Sequence, residues 1–197
     1  MKAMRFALLA AAALFVAGCL PVTSKHPVGT TAGFKQDPSL IGLWKADPDK
    51  DDPDSKQAFI AFLNAEEDGA MTAIMAEPGK GTGDWGTYSL KPATLGANHV
   101  LNAWVTLNNG KAPDADEAKA DVLVLYRFEG GKLVLSLLDE DAARAAIRSG
   151  RIEGVIDPGD MGDVHITAEP AALDAFFATK EGATMFSKKL VTLHRID

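Results

Sequence analysis

Two β-type runs, Val122-Leu123-Val124-Leu125-Tyr126-Arg127-Phe128-Glu129 and Lys132-Leu133-Val134-Leu135-Ser136-Leu137-Leu138, are separated only by Gly130-Gly131. A two-residue connection between such runs takes a primed turn whose central residues need φ > 0, which glycine adopts without a Cβ clash. That turn fixes the register, so Glu129 faces Lys132, Phe128 faces Leu133, Tyr126 faces Leu135 and Val124 faces Leu137. Opposite charges meet beside the turn, and the apolar pairs share one face. The other face carries Leu123, Leu125, Val134 and Leu138. A hairpin apolar on both faces belongs in the middle of a fold, with something packed against each side.

Around this hairpin the chain reads as further strands punctuated by turn residues: Gln57 to Leu63, Ala70 to Ala76, Asp84 to Leu90 and His99 to Leu107. In the last of these Leu101, Ala103, Val105 and Leu107 point one way, and Asn102, Trp104 and Thr106 the other. Leu40-Ile41-Gly42-Leu43-Trp44 opens the folded part and Leu190 to Ile196 closes it, with short strands expected at Ile152 to Ile156 and Val164 to Thr167. Two helices interrupt the β order. Asp139-Glu140-Asp141 begins one that ends near Arg148 and Gly150, and Pro170 begins another, with Leu173, Phe176 and Phe177 on one stripe and Gly182 as its stop. The expected fold is therefore α+β, mainly antiparallel β, a curved sheet or partly open barrel with two short helices, in one domain spanning 39–197. Its inward set is Trp44, Leu101, Ala103, Val105, Val124, Tyr126, Phe128, Leu133 and Leu135, rich in large side chains and hence expected to fill the interior.

The N-terminus has a different character. Met1 to Arg5 carries Lys2 and Arg5, Phe6 to Val16 is apolar, and Ala17-Gly18 places small residues before Cys19, the layout of a secretory signal. The apolar run is too short for a spanning helix. Val16-Ala17-Gly18-Cys19 resembles the lipobox of bacterial lipoproteins, and Cys19 is the chain's single cysteine. The resemblance implies removal of the signal peptide 1–18, acylation of Cys19 with palmitate-type chains and a lipid anchor in the membrane of the cell envelope. With Leu20 rather than Asp next, it implies the outer membrane, facing the periplasm. Two or three acyl chains anchor stably where one would not. Residues 19–38, rich in Pro, Thr, Ser and Gly, read as a flexible tether reaching roughly 25 Å. Cleavage loses Lys2 and Arg5 and no acid, so the net charge of −7 becomes −9, which argues against nucleic acid or anionic lipid as a partner.

Several local patterns touch on chemistry. Gly42-x-Trp44 resembles the opening strand of lipocalins and other small β-barrels, where the Trp packs under a basic residue from the far end of the chain; Arg195 could take that place. The chain departs from that family in having Phe176 and its helix before the last strand and no second lipocalin motif. Asp47-x-Asp49-x-Asp51 starts like a calcium loop, but the sixth and twelfth positions are Asp52 and Ala58 instead of Gly and Glu, so it reads as an acidic turn. Gly81-x-Gly83-x-x-Gly86 has the letters of a dinucleotide fingerprint but runs into a strand, so it reads as a hairpin turn. Asp157, Asp160, Asp163 and His165 crowd one loop and strand, the place to look for a metal, yet spacing alone provides no ligand geometry and no metal is assigned. Gly-x-Ser-x-Gly, His-Glu-x-x-His and Walker-type patterns are absent. The reading is a lipid-anchored envelope protein, a non-enzymatic binding or interaction module for another envelope component, with a lipocalin-like carrier of a small apolar ligand as the alternative. No catalytic or cofactor-binding residues are expected, and Cys19 is the one functional site.

Overall fold

A computed structural model describes residues 22–46, 57–65, 69–78, 83–113, 121–159 and 162–196. The signal segment and Cys19, the Asp47 turn, Gly81-Thr82, residues 114–120 and Asp160 lie outside the described residues.

The strands are β1 (Thr23–Ser24), β2 (Gly42–Ala46), β3 (Ala58–Asn64), β4 (Met71–Glu77), β5 (Asp84–Leu95), β6 (Asn98–Asn108), β7 (Asp121–Glu129), β8 (Lys132–Leu137), β9 (Gly154–Ile156), β10 (Val164–Ile166) and β11 (Lys188–Ile196). Three helices, α1 (Glu140–Arg148), α2 (Pro170–Phe177) and α3 (Lys180–Thr184), fall between β8 and β11. Strands β2 to β8 follow one another as antiparallel neighbours, and β11 returns between β8 and β2. The β6–β7 pairing completes an eight-stranded closed barrel. The sheet closes fully, where the sequence led to a curved sheet or partly open barrel, and closure leaves these eight strands no unpaired edge over their paired lengths.

The central hairpin has the register its turn demands: Glu129 opposite Lys132, Phe128 opposite Leu133, Tyr126 opposite Leu135 and Val124 opposite Leu137. Gly130 and Gly131 take φ of 57° and 78°. The double-sided apolar pattern has a direct cause. Val124, Tyr126, Leu133, Leu135 and Leu137 face the barrel interior, whereas Leu123, Leu125 and Leu138 enter a second core outside it. That outer core is roofed by α1, α2, the stretch after α3 and the short β9–β10 hairpin, through Ala143, Ala146, Ile166, Leu173, Phe177 and Phe186. Asp139 caps α1, its Oδ1 accepting from the Ala142 N–H at 2.9 Å.

The helical section holds three helices instead of two. Gly182 does not stop α2; Ala178 caps it, and Thr179 starts α3 by accepting from the Gly182 N–H at 3.0 Å. Pro92 does not end β5. Leu90 is the last residue paired with β4, through Met71, so from Pro92 onward that side of β5 has no β4 ladder and the missing N–H costs nothing.

The largest correction concerns the expected tether. From residue 22 the chain is packed, not free. Val22 and Val28 are buried in the outer core, β1 pairs with β7 and β10, and two buried side chains clamp the segment from Val28 to Thr31. Asn102 accepts from the Val28 N–H at 2.7 Å and donates to the Val28 carbonyl at 3.0 Å, while Asp174 accepts from Gly29 and from Thr31. Gly29, at φ +86°, lies so close to Ala93 that a side chain would collide with it. These Gly, Thr and Pro residues make a strap shaped to the barrel wall, a role that composition alone does not separate from a linker.

Candidate functional site

The barrel's two ends are built differently. At the end where β7 turns into β8, Trp44 is fully buried and its indole N–H donates to the Leu40 carbonyl at 2.7 Å. Arg195, paired across the ladder with Trp44, lies with its guanidinium carbon 4.9 Å from the indole centroid and donates to the carbonyls of Ser39 and Ile41 at 2.8 and 2.7 Å. The contact between Trp44 and Arg195 is the one the lipocalin resemblance implied. Gly42 turns the chain into β2 beneath this guanidinium at φ +134°, a conformation glycine takes freely and an L side chain would strain.

Tyr126 completes the plug, its hydroxyl donating to Asp37 Oδ2 at 2.8 Å. Burial alone would raise the Asp37 carboxyl, but hydrogen bonds from the Ser39 hydroxyl and N–H and from Tyr126, with His99 nearby, hold it below the ordinary range. Burial, then Asp37, pushes the Tyr126 phenol up. Of the predicted inward set only Phe128 fails to be buried: it is 44% exposed at the rim, its ring centroid 6.1 Å from that of Trp44.

Toward the other end the interior is not filled. An apolar cavity of about 80 Å³ is lined by side chains that include Ala73, Met75, Ala103, Val122, Leu190 and Val191. A filled barrel was the expectation from the large residues of the inward set. The space arises because Ala73 lies directly across from Tyr88 in the ladder and Ala103 from Leu90 and Val122, so two small residues face the same layer. Ala73 belongs to a strand whose inward face has no assignment from sequence; its period-2 placement with Met71 and Met75 is the signal that could have found it. Tyr88 brings a phenol to the lining, and burial pushes it up to about 12, so it stays neutral.

The outside of β2, β3 and β4 carries another apolar feature. Leu43, Ala61 and Ile74 lie in register on one row, and Leu43, Leu63, Ile74 and Trp85 are each more than a third exposed. The helices instead roof the far part of β5 with β6 and β7, through Ala93, Leu95, Val100, Leu123 and Leu125. Among the candidate metal residues, the fold brings Asp157, Asp163 and His165 together, with ligand atoms within 4.8 Å of one another.

No family model, curated protein or solved structure matches the chain.

Proposed function

We propose that this chain is a membrane-anchored envelope lipoprotein whose barrel takes the apolar part of a small ligand, a lipocalin-like carrier or sensor without catalytic chemistry. The observation that supports it is the cavity beside Ala73 and Ala103: it is apolar and lies in a barrel of the size that either fills itself or holds one small ligand. Its volume of about 80 Å³ suits the end of an alkyl chain rather than a whole sterol or haem. The plugged end makes entry one-sided. In this reading Cys19 carries the acyl anchor, and Val22, the first of the described residues and itself buried in the outer core, comes three residues later, a span of at most roughly 11 Å. The barrel would then be held against the outer membrane's periplasmic surface.

Two measurements test the two halves separately. Thermal unfolding of a chain starting at residue 20, titrated with dodecanoate, should show a saturable shift, about 2.7 kcal/mol of added stability at 100 times Kd. Ala103→Trp, which fills the cavity, should abolish it. A chain that dodecanoate, dodecanol and dodecane all leave unshifted removes the carrier reading. The anchor is tested by labelled palmitate in cells, where wild type should incorporate label and Cys19→Ala should not.

The row of exposed Leu43, half-buried Ala61 and exposed Ile74 favours a second reading, an interaction module that presents this face to another envelope protein. Ile74→Lys would weaken such an interaction and leave dodecanoate binding unchanged.

A further inference from the structure

The β9–β10 hairpin gathers three metal-ligating side chains from a loop and the strand after it. Asp157 directly follows β9, Asp163 directly precedes β10, and His165 lies within β10; their ligand atoms are within 4.8 Å of one another. Several contacts build this arrangement. The Asp157 N–H donates to the Asp163 carbonyl at 2.9 Å, closing the base of the loop. Gly162 passes so close to the Asp157 carbonyl that a Cβ there would overlap it. The buried Arg144 of α1 donates to the Gly162 carbonyl and pairs with Glu140, fixing the loop to the helix layer.

The imidazole is oriented from outside the hairpin, by a hydroxyl on a different strand. His165 Nδ1 lies 2.7 Å from Thr23 Oγ1 on β1, and Nε2 turns toward Asp157 Oδ2 at 3.7 Å. That separation is too long for a hydrogen bond. It is close to the spacing of two donors on one ion, roughly 3.4 Å for a tetrahedral Zn²⁺ with bonds of about 2.1 Å. The Thr23 hydroxyl can accept from Nδ1–H, and in that tautomer Nε2 presents its lone pair toward Asp157, so the contact holds the ring in the orientation a ligand histidine needs.

We propose that Asp157, Asp163 and His165 Nε2 bind a divalent cation of the Zn²⁺ class, with Thr23 as the positioning residue. The imidazole selects the class: Ca²⁺ and Mg²⁺ take all-oxygen shells, whereas a mixed nitrogen and carboxylate set suits Zn²⁺ and its neighbours. Three protein donors leave a coordination position for water. The ion ties the β9–β10 loop to β1 through the Thr23–His165 contact, independently of any ligand in the barrel.

The test is isothermal titration of the EDTA-stripped full chain with ZnCl₂, with CaCl₂ in parallel. One Zn²⁺ per chain is expected, with at least tenfold weaker binding in Asp157→Asn and in His165→Ala. Thr23→Val keeps all three ligands and should weaken Zn²⁺ binding by about tenfold, a loss that only an orienting role explains. If a variant misfolds, the wild-type imidazole decides: Zn²⁺ should shift the His165 Nε2 nitrogen resonance and leave Nδ1 protonated. Zn²⁺ binding unchanged in Asp157→Asn and His165→Ala, a resonance shift confined to His26, His99 or His194, absence of saturable Zn²⁺ binding, or tighter Ca²⁺ than Zn²⁺ binding would each overturn the assignment.

Discussion

The two ends of the barrel use the same strands and reach opposite solutions. At the plugged end three large side chains each bring a polar group with a partner: Trp44 donates to Leu40, Tyr126 to Asp37, and Arg195 to two carbonyls while stacking on Trp44. Toward the cavity end the lining is mainly aliphatic, with Phe62 and Tyr88 as its aromatic members and Ala73 and Ala103 as its small ones. Polar ties fix a side chain in one place and leave no room; aliphatic side chains around alanine leave a space and can move into it. The difference suits a container with a rigid base and an adaptable mouth.

The sharpest way to break this contrast is to truncate at each end. Trp44→Ala should cost about 3–5 kcal/mol, read from the urea midpoint, because it removes a fully buried indole and strands the Arg195 guanidinium. Leu190→Ala, at a partly buried residue beside an existing space, should cost roughly 1 kcal/mol. Equal losses would mean that the two ends are packed alike.

The turn at the plugged end is the next lever. Gly131 has φ +78° and nothing within 4 Å of an added Cβ, so Gly131→Val meets no neighbour and its cost isolates the backbone. About 1–3 kcal/mol of destabilisation is expected, since a β-branched residue at positive φ is strained. An unchanged midpoint would place the turn elsewhere.

The hairpin and the plug were largely legible in the sequence; the cavity and the strap were not. A Gly-Gly turn between two apolar runs fixes its own register, so Glu129 to Lys132 and the pairs behind it follow from local chemistry. Arg195 over Trp44 could be named because a strand pattern and one resemblance pointed to the same pair. A cavity is a different kind of object, a difference between volumes contributed by strands far apart in sequence. Ala103 was on the inward list, but its consequence depends on Ala73, thirty positions away and brought beside it across β5 by the β4–β5–β6 pairings. The strap was hidden because Val22 and Val28 are isolated apolar residues among Pro, Gly and Thr. The stretch from Val28 to Thr31 is held by Asn102 and Asp174, polar residues whose role here no hydrophobic periodicity announces. Of the metal candidates, the sequence crowded four residues together, and the fold shows three of them converging, with Thr23 supplied by a strand no pattern announced.

Filling the space sharpens the contrast from the other side. Ala73→Leu or Ala103→Leu adds apolar volume where a cavity of about 80 Å³ already exists. Each should raise the unfolding midpoint by an amount equivalent to about 1 kcal/mol, less than the roughly 0.8 kcal/mol for every added carbon that ideal burial would supply, because the fit is imperfect. A loss of about 1–3 kcal/mol instead would show the interior already packed to its limit.

The smallest effect is a difference in pH response, since each end carries a perturbed carboxyl and the two shifts have opposite sign. Asp37 at the plugged end lies below its ordinary 3.8, so the native state holds fewer protons than the unfolded chain. Its contribution is present above about 3.8 and is lost as pH falls through the lowered value. Asp121, which opens β7 at the cavity end, is pushed up to about 6 by burial, with Lys91 opposing. There the native state binds the extra proton, so the contribution is full below 3.8 and is lost as pH rises through about 6. Asp121→Asn should therefore match wild type near pH 3.8 and become more stable than it above pH 6, by roughly 1 kcal/mol once the partial solvent exposure of the carboxyl is allowed for. Urea midpoints of the two proteins from about pH 3.5 to about pH 7.5 measure the gap directly. A gap that stays constant across that range, or that narrows as pH rises, would mean that Asp121 ionises freely in the folded protein and that the cavity end carries no buried charge to relieve.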